Sequence, residues 1–270
     1  ISLNQGVELT YIDALFTSVS AISVTGLTVV HTADTFSLFG ITIIMLLIQV
    51  GGIGIMTLGT LIWILMGQNI TLSQRKLIMI DQNRSDLSGL VRLMKLVFSI
   101  ALLFEGAAAI LFSLYFKMTG SFDSWEASIF HGLFHALSSF TNAGFDIFGD
   151  SLYSFHSDYV VQIVTMILIV MGAIGFPVLV EMKEKWFGTQ KNFRFSLFTK
   201  LTTTTFFALL ILGGISIWLL ESNHYLAGMR WDERFFNTLF TTVTSRSAGL
   251  ATMDVSEFGV PTQFLLSILM

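Results

Sequence analysis

From Thr35 to Gln74 the chain contains no Asp, Glu, Lys, Arg or His. That stretch constrains the fold more than any other feature, because about 20 consecutive apolar residues cross the roughly 30 Å of hydrocarbon in a bilayer. Its apolar middle runs from about Leu38 to Met66. Three further stretches qualify as spans: residues 96–116, interrupted only by Glu105, and the uncharged residues 159–180 and 201–220. Residues 258–270 form an apolar run too short to cross alone. The composition agrees, with 53% hydrophobic and 12% charged residues and a mean hydropathy of +0.76. It excludes an ordinary water-soluble enzyme domain and predicts an all-α, multi-pass protein of the cell membrane. Zero cysteines exclude a disulfide scaffold and Cys-ligated zinc or iron–sulfur clusters. A formal net charge of -4 gives no basic stripe for a nucleic-acid partner.

The segments between spans set the orientation. Arg75, Lys76, Arg84, Arg92 and Lys95 occupy one, and Lys183, Lys185, Lys191, Arg194 and Lys200 another, so ten of the 14 basic residues lie in two segments. By the positive-inside rule both face the cytoplasm. Residues 117–158, residues 221–257 and the stretch before Thr35 then lie outside, and they carry thirteen of the 18 acids. Carboxylates at a mouth raise the local cation concentration, although solvated loops explain them about as well. The basic segments suit a regulatory partner and anionic lipid headgroups equally.

Three of the outer segments hold apolar stretches of a length that reads as re-entrant rather than spanning, at residues 14–30, 136–145 and 235–251. They repeat one another. Leu15-Phe16, Leu133-Phe134 and Leu239-Phe240 are followed by Gly26, Gly144 and Gly249, which lie 10, 10 and 9 residues after the Phe. The surrounding residues are Ser-Val-Thr-Gly-Leu, Thr-Asn-Ala-Gly-Phe and Arg-Ser-Ala-Gly-Leu. Trp125-Glu126 and Trp231-Asp232 mark corresponding starts, and Gly51-Gly52-Ile53-Gly54 pairs with Gly172-Ala173-Ile174-Gly175 downstream. The repeating unit is therefore span, short re-entrant helix, glycine loop, span. Successive units share one orientation, so an axis along the membrane normal relates them. Irregular backbone at membrane depth is tolerated where it is buried in protein or lines a watery cavity, and equivalent loops around one axis line one pore. The negative ends of the short helices favour a cation there, and loop carbonyls can replace its hydration shell.

These residues resemble the Trk/Ktr/HKT superfamily of potassium translocation proteins, and within it the membrane subunit of the bacterial Ktr systems. The likeness rests on Val24-Thr25-Gly26-Leu27, on Asn142-Ala143-Gly144-Phe145, and on Arg246-Ser247-Ala248-Gly249-Leu250 with the preceding Ser245, together with the Gln49 to Gly54 helix. It implies pseudo-fourfold helix, pore-loop, helix repeats around a central pore, with a filter glycine in each. It also implies a homodimer in the lipid bilayer and a cytosolic ring of nucleotide-binding subunits that gates the pore. Residues 1–74, 75–182 and 183–270 match the first three repeats. The first outer helix and the fourth repeat are missing, so the polypeptide is expected to begin before Ile1 and to continue beyond Met270. In related plant transporters a serine at the first filter glycine accompanies sodium transport, and glycine at all three positions here favours potassium. On this reading the twelve residues 24–27, 142–145 and 247–250 supply K+ ligands through their carbonyls. No cofactor is expected in this chain, K+ is the transported ion, and a nucleotide belongs to the regulatory partner alone. The resemblance implies no catalytic activity.

Several single residues admit other roles. Arg246 sits at membrane depth beside a cation path. It is expected to point behind the filter and hold the loop through carbonyls or an acid of a neighbouring repeat. Glu105 needs a partner or a proton, and a helix-pairing role beside Gly106-Ala107-Ala108-Ala109 outranks an ion site. A sodium- or proton-coupled carrier is the rival transport mechanism, with Glu105 its one visible mid-membrane acid. His131 and His135 have the spacing of histidine boxes in membrane oxygenases, but the chain has five histidines, whereas such sites need about eight, so packing is the better reading. Asn142 fits a left-handed turn as well as a side-chain ligand.

Overall fold

The computed structural model describes residues 3–4, 6–54, 90–187 and 193–270, with 59, 62, 66 and 76 as isolated positions. Residues 55–58 and most of 60–89 lie outside the described set. The tail of the first span, Arg75 and Arg84 fall there, and Lys191 lies in the second undescribed stretch.

Each re-entrant stretch becomes a helix that starts at a polar cap. Helix α1, Tyr11–Ile22, begins where the Thr10 side chain accepts from the Asp13 N–H. A short turn α2, Thr32–Thr35, leads to α3, Leu38–Ile53, capped by Ser37. Helix α4, Leu90–Thr119, is followed by α5, Trp125–Thr141, whose Ser124 cap accepts from the Ala127 N–H. Then come α6, Tyr159–Ala173, and α7, Phe176–Phe187. The last helices are α8, Leu197–Glu221, α9, Trp231–Thr244, and α10, Val260–Leu269. Asp13, Glu126, Asp232 and Glu233 stand in the first turns of α1, α5 and α9, where negative charge stabilises the positive end of a helix dipole. Among the described residues every element longer than a single bridge is helical, and α4 and α8 are long and apolar enough to cross a membrane.

The third expected span is not continuous. α6 and α7 meet at an angle of 102°, so residues 159–180 do not run straight through. Gly175 adopts φ +92°, Pro177 stands in the first turn of α7, and the Val178 N–H donates to the Gly175 carbonyl at 3.1 Å. A proline ring disfavours helical backbone at the residue before it, and a residue at positive φ ends the helix. Gly54 closes α3 in the same way at φ +91°, so the two matched helices stop at matched glycines.

Packing follows one rule around the molecule. α3 packs on α1 and on α5, and α6 packs on α5 and on α9. α3 and α6 thus each touch the short helix that precedes them and the one that follows. α4 and α5 form the most extensive pair, around Phe112, Phe116, Phe140 and Ile169, all at most 2% exposed. Phe36, Ile44, Ile48, Phe134 and Phe145 form a second apolar cluster, which joins the first repeat to the second. Outside these clusters α8 leaves Leu197, Leu201, Ile211, Leu212 and Leu219 exposed, as a lipid-facing surface does.

Candidate functional site

Short helices α1, α5 and α9 run into the three glycine loops, and the loops meet. Gly26, Gly144 and Gly249 adopt φ +78°, +70° and +71°, which only glycine reaches without penalty. A Cβ added to Gly26 would lie 2.7 Å from the Ala143 carbonyl oxygen and 3.2 Å from the Gly144 Cα. One added to Gly144 would lie 2.9 Å from the Ala248 oxygen, 3.2 Å from the Gly26 Cα and 3.6 Å from the Gly249 Cα. The three glycines therefore stand in line at backbone contact, and the carbonyl before one glycine rests against the preceding glycine. Neither overlap could be relieved by rotating a side chain.

The helix ends behind the loops are matched as well. The N–H before the glycine reaches back into the pore helix, from Thr25 to the Ser20 carbonyl at 3.0 Å, from Ala143 to Ser138 at 2.9 Å and from Ala248 to Thr244 at 3.0 Å. Val24 and Asn142, two residues before their glycines, are left-handed at φ +56° and +57°. The third loop is one residue shorter from its Phe to its glycine, and no left-handed residue precedes Gly249 within it. Behind the first two loops the inner helices press glycine onto backbone. A Cβ on Gly51 would come within 2.1 Å of the Ile22 carbonyl, and one on Gly172 within 1.8 Å of the Phe140 carbonyl. Ile22 and Phe140 each lie four residues before their loop glycine, so the repeat read from sequence extends to atomic contacts.

Side chains fix the loops differently. The Ser138 hydroxyl donates to the Phe145 carbonyl at 2.5 Å, and the Thr244 hydroxyl donates to the Leu250 carbonyl at 2.6 Å. Both carbonyls, which are among the twelve expected filter positions, thus accept a hydroxyl from the helix before their loop. Asn142 supplies its left-handed backbone, while its Nδ2 donates to the Phe140 and Ile169 carbonyls at 3.3 and 3.4 Å. Its Oδ1 accepts from the Ser247 hydroxyl at 3.3 Å, which links the second loop to the third. Leu27, after the first glycine, is 59% exposed, whereas Phe145 and Leu250 are buried.

The other singled-out residues find definite partners. Arg246 donates to the Phe206 carbonyl at 2.7 Å, and its guanidinium lies 4.3 Å above the Phe206 ring. It does hold a carbonyl, but that carbonyl belongs to α8 of its own repeat and not to a neighbouring one. The reason is proximity, since α8 packs directly on α9. Gln49 on α3 donates to the Glu105 carboxyl on α4 at 2.8 Å, so the buried acid pairs helices of the first and second repeats. His135 is buried against Thr165 at 2.8 Å. His131 bonds the Ala127 carbonyl at 2.9 Å and stacks on Phe122. Among the described residues no group of three His, Cys, Asp or Glu is placed to hold a metal ion.

Two outer contacts escaped the sequence reading. The buried Glu221 carboxyl accepts from the Gly259 N–H at 2.9 Å and from the Thr262 hydroxyl, and so caps α10, whose own Gly259 cap has no side chain to offer. Tyr159 donates to Asp232 at 2.6 Å. That bond, followed by the pairing with Arg230, holds the Asp232 carboxyl below the usual carboxylate range. A charge-bearing Glu-x-x-His pair at a helix end and an aromatic hydroxyl beside Asp158 were the only local signals for them.

Comparison with known proteins agrees with this architecture. The family described as TrkH, cation transport protein, matches residues 2–270. The chain is 51% identical over 98% of its length to the Ktr system potassium uptake protein D of Bacillus subtilis, covering 59% of that protein. It is 37% identical to the Ktr system potassium uptake protein B of the same organism, over 91% of this chain and 54% of the relative. Among solved structures, the crystal structure of the potassium transporter TrkH from Vibrio parahaemolyticus superposes with a TM-score of 0.69 at 20% identity, over 97% of this chain and 50% of that one. The chain spans a little over half the length of these curated relatives. It is a multi-pass, all-helical membrane protein, and it belongs to the TrkH family of cation transport proteins.

Proposed function

We propose that this chain forms part of the conduction path of a potassium uptake system, with the three glycine loops as its selectivity filter. The observation that carries this reading is the meeting of Gly26, Gly144 and Gly249 at backbone contact, all at positive φ. Three pore-helix C-termini end at that line, and their partial negative charge favours a cation. Carbonyls preceding and within the glycine positions then replace water around K+. The Phe145 and Leu250 carbonyls, bound to Ser138 and Thr244, anchor the loops. The remaining ligands come from Val24, Thr25, Gly26 and Leu27, from Asn142, Ala143 and Gly144, and from Ser247, Ala248 and Gly249. Arg246 supports the third loop from behind.

Residues 1–74, 75–182 and 183–270 are the repeats of this pore, and a fourth loop in the whole protein closes it. Names of relatives that include Ktr system potassium uptake proteins support K+ as the ion. The word system in those names fits a membrane subunit that works with a partner, and the family resemblance implies that this partner is a cytosolic nucleotide-binding ring and that the membrane subunit is a homodimer. An inside-negative potential of ~100 mV supplies ~2.3 kcal/mol per charge, which sustains roughly fifty-fold accumulation without covalent chemistry.

The test is potassium, rubidium and sodium uptake by cells lacking their own uptake systems and expressing the native polypeptide with Gly144→Ser. Potassium uptake is expected to collapse, or sodium to begin competing, at unchanged protein abundance. Wild-type uptake and selectivity would reduce Gly144 to a packing residue and remove the filter.

A further inference from the structure

On the face that carries the basic segments, α7 and α8 enclose a groove of about 340 Å³. Its walls combine two chemistries. Val178, Met182 and Trp186 of α7 make it apolar, while Lys185, Lys200 and Thr203 place two ammonium groups and a hydroxyl on its lining. Among the described residues the Thr203 hydroxyl is buried without a hydrogen-bond partner, and such a group costs stability. The Lys185 ammonium stands 4.7 Å above the Phe195 ring, which holds it at the mouth.

The bend at Gly175 accounts for the groove. Because α7 turns 102° from the direction of α6, it passes from the spanning direction toward the plane of the membrane. Its first turns bury Val178, Leu179 and Val180, while Trp186 is 68% exposed. At 100° per residue, Val178, Met182 and Trp186 share one sector, with Lys185 on its edge and Glu184 on the far side. Glu181 is turned to the Ser196 N–H at 2.9 Å. A tryptophan beside lysines on a helix lying in the interface is the pattern of a surface-seated amphipathic element. Beyond the groove the exposed face of α8 is apolar at Leu197 and Leu201, so the site opens onto lipid rather than onto water alone.

We propose that this groove binds one anionic phospholipid. The phosphate sits between Lys185 and Lys200, and an acyl chain lies along Val178, Met182 and Trp186. A soluble protein partner would pair the lysines but leave the apolar wall wet. A neutral lipid would fill the wall but leave two cations unpaired. Only a molecule with both parts meets both walls.

The test uses the native polypeptide in vesicles of phosphatidylcholine mixed with phosphatidylglycerol, extracted in detergent. Phosphatidylglycerol retained per protein is then counted by mass spectrometry. Lys185→Gln with Lys200→Gln is expected to lower retention roughly twenty-fold, since each lysine near an anionic headgroup contributes about a factor of five. Thr203→Trp, which fills the groove without changing charge, is expected to lower it comparably; Thr203→Leu serves where the larger residue does not fold. Arg92→Gln with Lys95→Gln removes the same charge from α4 and is expected to leave retention unchanged. Equal losses in the two charge pairs would show general surface attraction and overturn the site. Undiminished retention in the filled groove would overturn it too, as would loss of a cytosolic protein partner with phosphatidylglycerol still bound. None of these readouts depends on ion conduction, so the lipid site and the filter stand or fall separately.

Discussion

The second loop ends its helix on Asn142 and ties the Phe145 carbonyl to Ser138 at 2.5 Å. The first loop places Val24 at the same left-handed position, and Ser20, the counterpart of Ser138, keeps a buried hydroxyl with no partner. Asparagine visits that region readily, because its short amide can bond locally, whereas a β-branched residue there is an outlier. Two loops with the same glycine, the same return hydrogen bond and the same inner-helix contact thus differ in how firmly side chains hold them. Shape is set by the glycine and the helix end, and tightness is set by the hydroxyl and the amide.

The largest effects should come from what the two repeats share. Gly172→Ala and Gly51→Ala would drive a Cβ to 1.8 and 2.1 Å from a backbone carbonyl, and each should lose about 3 kcal/mol of stability through overpacking. Gly106→Ala, with nothing within 4 Å of the new Cβ, should gain up to about 1 kcal/mol, what helix propensity offers. Thermal unfolding in detergent separates them. A wild-type midpoint for Gly51→Ala would break the equivalence of the two repeats.

Smaller effects should expose the difference. Ser138→Ala and Thr244→Val each strand a carbonyl that now accepts a hydroxyl, and should cost about 1–2 kcal/mol. Ser20→Ala removes no bond and should stay within about 0.5 kcal/mol of wild type. Equal losses at Ser20 and Ser138 would erase the contrast. Exchange at the left-handed position runs both ways: Val24→Asn should stabilise by about 1 kcal/mol, and Asn142→Val should destabilise by at least about as much.

The smallest expected effect lies at the outer end of the third pore helix. Asp232 has a folded-state pKa below its unfolded value, chiefly through the Tyr159 hydroxyl. Its contribution is therefore present above the unfolded pKa and is lost as pH falls through the folded one. Tyr159→Phe should lower the midpoint slightly at neutral pH and meet wild type at acid pH, and so flatten the acid-side decline. An unchanged acid slope would show that Arg230, not Tyr159, holds the carboxylate.

Much of this was legible in the residues. Apolar stretches, one uncharged and one interrupted only by Glu105, announced α8 and α4, and the Trp-Glu and Trp-Asp pairs fell on the first residues of α5 and α9. Spacing from Phe to glycine that matches to within one residue announced the meeting of the three loops, because similar distances from similar packing positions deliver similar endpoints. The bend after Ala173 was missed although Gly175 and Pro177 were in plain view, since hydropathy counts charge and is blind to φ. The direction of Arg246 was half right for a similar reason: a guanidinium must find oxygen, but only packing decides which helix supplies it. Pairings between distant positions, such as Gln49 with Glu105 or Glu221 with Gly259, leave no periodic trace and come from the fold alone.

The break between α6 and α7 also bears on how the chain is made. Residues 159–180 carry no charge and suffice to cross the hydrocarbon, so the insertion machinery, which weighs apolarity, accepts them as one upright span. The finished helix instead turns 102° between Ala173 and Phe176. Apolarity governs insertion, whereas the bent shape requires Gly172 against the Phe140 carbonyl, where a Cβ would come within 1.8 Å. A residue too large at Gly172 would therefore be inserted normally yet fail to mature, a defect visible to quality-control proteases before it is visible to any transport assay.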